Sequence, residues 1–168
     1  MSNPHVLLET SEGDILLELY PDKAPVTVEN FLQYVDDGHY NETIFHRVIR
    51  NFMIQGGGFD PDMNQKSTRD TIINEADNGL KNDKGTIAMA RTFEPHSASS
   101  QFFINAQDNP GLNFRSKDEE GWGYCVFGKV IEGEDIVKKI NWKVTTNRAG
   151  HADVPKENIE IVTARRFE

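Results

Sequence analysis

Val6-Leu7-Leu8-Glu9-Thr10-Ser11-Glu12-Gly13-Asp14-Ile15-Leu16-Leu17-Glu18-Leu19-Tyr20 decides the fold class. Two apolar runs meet at Ser11-Glu12-Gly13, and a glycine at such a joint marks a tight turn, so the chain is expected to open with two paired antiparallel strands. Pro25 then stands where a first helical residue would, Val28, Phe31, Leu32 and Val35 recur at helical spacing, and Gly38 follows as a stop. This predicts an amphipathic helix of about three turns. Residues 56–66 are rich in glycine, aspartate and asparagine and are expected as loop. Further strands are expected at 86–90, 101–104, 124–131 and 159–164, with a second short helix at 134–141, where Ile136 and Ile140 lie one turn apart. Many short strands, two helices and no strand–helix alternation favour a closed or nearly closed antiparallel barrel over a doubly wound sheet.

At 168 residues the chain has the length of one domain, expected to span 1–168, and can bury a core without disulfides or a structural metal. Its 18 basic and 27 acidic residues give a formal charge of -9, which repels a phosphate backbone and argues against nucleic acid as a partner. The single cysteine, Cys125, excludes an internal disulfide and suits a reducing compartment. Flanked by Tyr124 and Val126-Phe127, with no cationic cluster beside it, Cys125 reads as a small buried hydrophobe rather than a nucleophile. Residues 1–10 lack a basic start followed by a long apolar run, and no window approaches the ~20 apolar residues of a membrane span. A cytoplasmic protein with no membrane partner is expected, and nothing demands more than a monomer.

Several local patterns have plain readings. Gly56-Gly57-Gly58 is not followed by Gly-Lys-Ser/Thr, so tight loop geometry explains it better than phosphate binding. His5, His39, His46, His96 and His151 lack zinc-site spacing, and no metal is expected. Ser97, Ser99 and Ser100 near His96 form no nucleophile elbow. Asp118-Glu119-Glu120 reads as a solvated loop, and Trp122 and Trp142 as core or rim packing.

The run Phe45-His46-Arg47-Val48-Ile49-Arg50-Asn51-Phe52-Met53-Ile54-Gln55-Gly56-Gly57 is different, because it sets Arg47 and Gln55 among bulky apolar residues. That is the composition of an apolar pocket with a few directed donors. A second segment, Ser99-Ser100-Gln101-Phe102-Phe103-Ile104, puts Gln101 and Phe103 on one face by alternation, as Met53 and Gln55 share one in the first.

In these motifs the chain resembles the cyclophilins, peptidyl-prolyl cis-trans isomerases. The resemblance runs through Gly13-Asp14-Ile15, Pro25-Val26-Thr27-Val28-Glu29-Asn30-Phe31, Tyr40, the run from Phe45 to Gly57, Gly85-Thr86-Ile87-Ala88-Met89-Ala90, Ser100 to Ile104 and Val126-Phe127-Gly128-Lys129-Val130. The stretch between Leu112 and Tyr124 and the overall length resemble the bacterial cytoplasmic type. The resemblance implies a closed eight-stranded antiparallel β-barrel capped by two α-helices, and isomerisation of X-Pro bonds without a cofactor.

It further implies Arg47 as the catalytic cation, with Gln55 and Gln101 positioning the substrate backbone. Phe52, Met53, Phe103 and Leu112 would line the proline pocket, with Ala90 at its edge; alternation alone does not put Phe52 there. Three positions depart from the commoner family pattern: Gly111 replaces a tryptophan before the pocket leucine, Tyr124 a pocket histidine, and Arg91 an asparagine. Arg91 and Tyr124 are counted with the substrate-binding residues. Implied partners are proline-containing peptides and unfolded or partly folded proteins, with weakened cyclosporin affinity. The alternative reading is a proline-binding docking module with little catalysis.

Overall fold

The opening hairpin of the computed structural model, which describes residues 3–167, forms as its sequence predicts. Strands β1 (His5–Thr10) and β2 (Gly13–Leu19) pair antiparallel, with Thr10 opposite Gly13. Thr10 Oγ1 locks the turn by donating to the Gly13 carbonyl at 2.6 Å and accepting from the Glu12 N–H at 3.1 Å.

Helix α1 (Pro25–Asp36) starts at the expected proline, yet Ala24 before it offers no capping side chain. The orphan donors of the first turn are met instead by Glu75, whose carboxylate accepts from the backbone of Val26 and Thr27 at 3.3 and 2.7 Å.

The remaining strands of the main sheet are β3 (Thr43–Ile44), β4 (Arg47–Ile49), β5 (Met53–Gly56), β6 (Thr86–Met89), β7 (Phe102–Asn105), β8 (Val126–Glu132) and, after the separate strands β9 (Thr145–Arg148) and β10 (His151–Pro155), β11 (Glu160–Arg166). All pairs are antiparallel, in the order β3-β11-β1-β2-β8-β6-β7-β5-β4, nine strands among the described residues. The two end strands are separated in the chain only by Phe45 and His46, so the segment 43–49 itself joins the edges of the curled sheet. Counted as one bent strand, it leaves the eight that the family resemblance implies. Helix α2 (Glu134–Asn141) matches its expected span.

One apolar cluster fills the interior. Phe31 of α1 lies with ring centroids 5.7 Å from Phe102, 5.1 Å from Phe127 and 5.2 Å from Tyr40, and Ile15, Leu17, Ile54, Ile104, Val137 and Ile140 belong to the same cluster. Burying one such large side chain is worth roughly 1.5–3 kcal/mol.

A separate hairpin, β9 (Thr145–Arg148) with β10 (His151–Pro155), carries no sequence expectation. Its Val154 packs with Ile44, Phe59 and Met63 over the bent segment. Among the described residues no helix is long and apolar enough to cross a membrane.

Candidate active site

Hairpin β4–β5 sets Arg47 opposite Gln55, Val48 opposite Ile54 and Ile49 opposite Met53. Because strand residues alternate, Val48 and Ile54 face the interior cluster while Arg47, Gln55 and Met53 share the outer face. The register continues across the sheet: Gln55 opposes Phe103, Phe103 opposes Ala88, and Ala88 opposes Val126. Arg47, Gln55, Phe103, Ala88 and Val126 therefore form one row over five strands, on the outside of the barrel. Met53, Ala88, Ala90, Phe103 and Val126 make a second apolar cluster there, joined by Phe52, Leu112 and Tyr124.

Phe52 reaches this face because it sits in the turn and not on a strand. Asn51 takes a left-handed conformation, φ 59°, which asparagine tolerates well, and the Phe52 N–H closes back on the Ile49 carbonyl at 3.1 Å. The strict alternation that would turn Phe52 inward does not apply there.

Nine of the ten expected residues line one open cavity of about 190 Å³. The hairpin supplies Arg47, Phe52, Met53 and Gln55; the chain after β6 supplies Arg91, with Ala90 beside it; Phe103, Leu112 and Tyr124 complete the walls. The tenth, Gln101, immediately precedes β7 and accepts a hydrogen bond from Gln55 Nε2 at 3.0 Å. Gln55 Oε1 in turn accepts from Arg47 Nη1 at 3.3 Å.

Gly57 and Gly58 explain their own composition. Gly57 has φ +91°, and a Cβ on Gly58 would come within 2.6 Å of the Gln101 side chain. The glycine run thus lets Gln101 lie flat across the backbone, which fits tight geometry rather than phosphate binding.

The far wall is held by its own contacts. Leu112 ends a 3₁₀ turn (Pro110–Leu112), and its carbonyl accepts the Tyr124 N–H at 2.9 Å. The Tyr124 ring meets Phe103 edge-on at 5.6 Å and lies under the Arg91 guanidinium, 4.4 Å from its centroid. Arg91 Nε and Nη2 both donate to the Gly123 carbonyl, at 3.0 and 2.8 Å.

Beneath the cavity runs a polar network that sequence reasoning missed. Buried Asn105 donates to Asn82 Oδ1 at 3.0 Å and to Thr86 Oγ1 at 2.9 Å, and accepts from Asn109 Nδ2 at 2.8 Å. Asn109 also donates to the Phe52 carbonyl at 2.9 Å, and Asn82 to the Leu112 and Tyr124 carbonyls at 3.1 and 3.2 Å. These asparagines fasten the pocket's opposing walls together. Their partners lie far apart in the chain, so no local pattern flags them.

The other candidates resolve plainly. Cys125 is buried, and burial pushes its thiol up to about 11, so it is a protonated core group at neutral pH. Trp122 packs edge-on against Phe114 and His96, and exposed Trp142 carries the Arg50 guanidinium on its face. Among the described residues no group of three or more His, Cys, Asp or Glu is arranged to hold a metal. A larger cavity of about 280 Å³ lies under the β4–β5 turn against α2, but it contains none of the expected residues.

A family model described as cyclophilin type peptidyl-prolyl cis-trans isomerase matches residues 5–166. Peptidyl-prolyl cis-trans isomerase B of Escherichia coli (strain K12) is 59% identical, over 93% of this chain and 95% of the relative. Peptidyl-prolyl cis-trans isomerase cyp18 of Streptomyces antibioticus is 60% identical, over 95% and 96%. A crystal structure of a Cryptosporidium parvum cyclophilin type isomerase, determined in the presence of the dipeptide Ala-Pro, superposes with TM-score 0.83 at 29% identity, covering 98% of this chain and 99% of that one. With a family match spanning nearly its whole length and isomerases among its near relatives, the chain belongs to the cyclophilin-type peptidyl-prolyl cis-trans isomerases.

Proposed function

We propose that the isomerisation of X-Pro bonds takes place in the outer-face cavity, with Arg47 as its catalytic cation. An X-Pro amide resists rotation by a barrier of about 18–20 kcal/mol because nitrogen shares its lone pair with the carbonyl. Twisting the bond localises that pair on a pyramidal nitrogen, so a donor aimed at the nitrogen binds the twisted state better than either planar isomer. Arg47 is that donor: its guanidinium is permanently charged, and rotation calls for no proton transfer or nucleophile.

The observation that carries the reading is the row running from Arg47 through Gln55 to Phe103, a cation, an amide and an aromatic floor in successive strands. Phe52, Met53, Phe103 and Leu112 grip the pyrrolidine ring, with Ala90, Arg91 and Tyr124 at its margin, while Gln55 and Gln101 hold the flanking backbone. One bond is then left free to turn. A rate gain of about five powers of ten requires roughly 7 kcal/mol, and one charged hydrogen bond supplies about 1.5–3 kcal/mol, so orientation and the low-dielectric floor contribute the remainder.

The substrates on this reading are proline-containing segments of unfolded or partly folded chains. The Ala-Pro dipeptide present with the Cryptosporidium relative supports recognition of the proline unit. Cyclosporin binding is weakened, since exposed Gly111 leaves open space at the rim. Residues 1–168 act together as one isomerase domain, as a monomer and in the cytoplasm, a placement that the unpaired Cys125 favours.

The test is Arg47→Ala assayed by NMR exchange on an Ala-Pro peptide, with folding checked by circular dichroism. A loss of about tenfold or more is expected, since a donor to the twisted state is removed. Near wild-type turnover by the folded variant overturns the assignment.

A further inference from the structure

Among the described residues two guanidinium groups line the cavity and no carboxylate does. Arg91 is the more firmly held of the two. Nε and Nη2 donate to the Gly123 carbonyl at 3.0 and 2.8 Å, Nη1 to the Thr92 and Phe93 carbonyls at 2.9 and 3.3 Å, and its plane covers Tyr124. Each of these partners is neutral, so among the described residues nothing neutralises the charge. Arg69, Arg165 and Arg166 meet carboxylates, while Arg50 and Arg148 are, like Arg91, held by neutral partners, and of these three only Arg91 stands at the cavity wall. A cation fixed by neutral partners at a pocket wall loses little freedom when an anion arrives, and its field is not spent on a neighbour.

We propose that Arg91 makes this site selective for X-Pro segments that carry a carboxylate side chain directly beside the proline. The inference rests on the cavity being the isomerase site and adds a preference among its substrates. The apolar floor of Phe103, Leu112 and Met53 takes the ring, which leaves the flanking side chain to meet the wall that Arg91 occupies. The chain's overall charge of -9 opposes acidic ligands at long range, but that field is screened beyond about 8 Å at physiological ionic strength, whereas Arg91 acts in contact. A partly exposed charge pair of this kind corresponds to a preference of about 1.5- to fivefold.

The experiment compares kcat/KM by NMR exchange for peptides differing only in Glu against Gln, placed just before or just after the proline, at fixed ionic strength. The wild-type protein is expected to favour Glu in at least one placement, and Arg91→Gln to bring that ratio to about one, whatever it does to the absolute rates. A wild-type ratio near one in both placements overturns the proposal, as does a preference that survives in Arg91→Gln. Should that variant fail to fold, the Arg91 Nε–H resonance of the wild-type protein decides: a saturable shift with the Glu peptide and none with the Gln peptide supports the contact, and equal responses overturn it. Failure of the catalytic assignment looks different, because full activity in Arg47→Ala would leave the Glu-to-Gln ratio untouched.

Discussion

Arg47 and Gln55 face each other across the β4–β5 ladder, and the guanidinium Nη1 donates to the Gln55 Oε1 at 3.3 Å. The amide cannot flip freely, since its Nε2 donates to Gln101 Oε1 at 3.0 Å. Gln55 therefore fixes the guanidinium, and on the proposed assignment this aims the catalytic cation. Gln55→Ala is expected to lower kcat by about three- to tenfold, and Gln55→Ala combined with Arg47→Ala to have the kcat of Arg47→Ala alone within about twofold, because the second change removes what the first one orients. Single-turnover NMR exchange on all three variants measures this; fully multiplicative losses in kcat would show that the two side chains act independently.

Asn105 holds the pocket from below. It is fully buried, and its amide meets Asn82, Thr86 and Asn109 together. Asn105→Ala leaves these buried groups short of partners, each at roughly 1–3 kcal/mol, so a total loss of about 2–4 kcal/mol in unfolding free energy is expected. Urea denaturation measures it, and a loss under about 1 kcal/mol would mean that the neighbours re-pair among themselves.

Where information was local, the sequence carried it. The β1–β2 hairpin and α1 follow from turn chemistry and periodicity, and the shared faces of Met53 with Gln55 and of Gln101 with Phe103 follow from alternation. Hairpin β9–β10 escaped notice because its turn places Ala149 and Gly150 at φ 51° and 81°. Alanine there sends none of the signal that asparagine or aspartate would, and Thr145-Thr146-Asn147-Arg148 has no apolar face to reveal a strand. The expected strand at 124–131 starts late, at Val126, because the Tyr124 N–H is drawn to Leu112 across the pocket. The Glu75 cap of α1 lies 48 residues from Thr27, beyond any local pattern. For the site, resemblance supplied what spacing could not: Leu112, Ala90, Arg91 and Tyr124 reach the cavity from separate loops.

At the rim, a Cβ built on Gly111 meets nothing within 4 Å, so a side chain added there starts out into open space. Gly111→Trp beside Leu112 would add an apolar wall to a cavity that is open there. Cyclosporin affinity is expected to rise by about tenfold or more, since burying an indole face against an apolar ligand is worth at least about 1.4 kcal/mol. Isothermal titration of the variant against the native protein tests this, with Ala-Pro turnover as a control for pocket integrity. Unchanged affinity would place the weakness elsewhere, with Tyr124 or Arg91 the next positions to alter.

His46, next to Arg47, is buried with its Nδ1 lacking a hydrogen-bond partner among the described residues, and its ring lies 4.4 Å from that of Phe59. Burial first, and then His151 and Arg47, lower its pKa from 6.5 to about 4. The folded state therefore refuses a proton that the unfolded chain accepts between these values. Stability from this group is complete above about pH 6.5 and is lost as pH falls towards 4, with about 2 kcal/mol gone by pH 5. His39, lowered chiefly by burial, adds in the same direction. The carboxylates of Glu9, Glu12 and Asp36, held low by their hydrogen-bonded partners, give up their contribution mainly below about pH 4.5, outside the interval from pH 7 to pH 5. Urea unfolding at pH 7 and pH 5 is expected to show a decline that His46→Phe, close in size and without a proton to take up, reduces by about 2 kcal/mol. An identical decline in the variant would assign the acid sensitivity of this range to His39 and leave His46 a bystander.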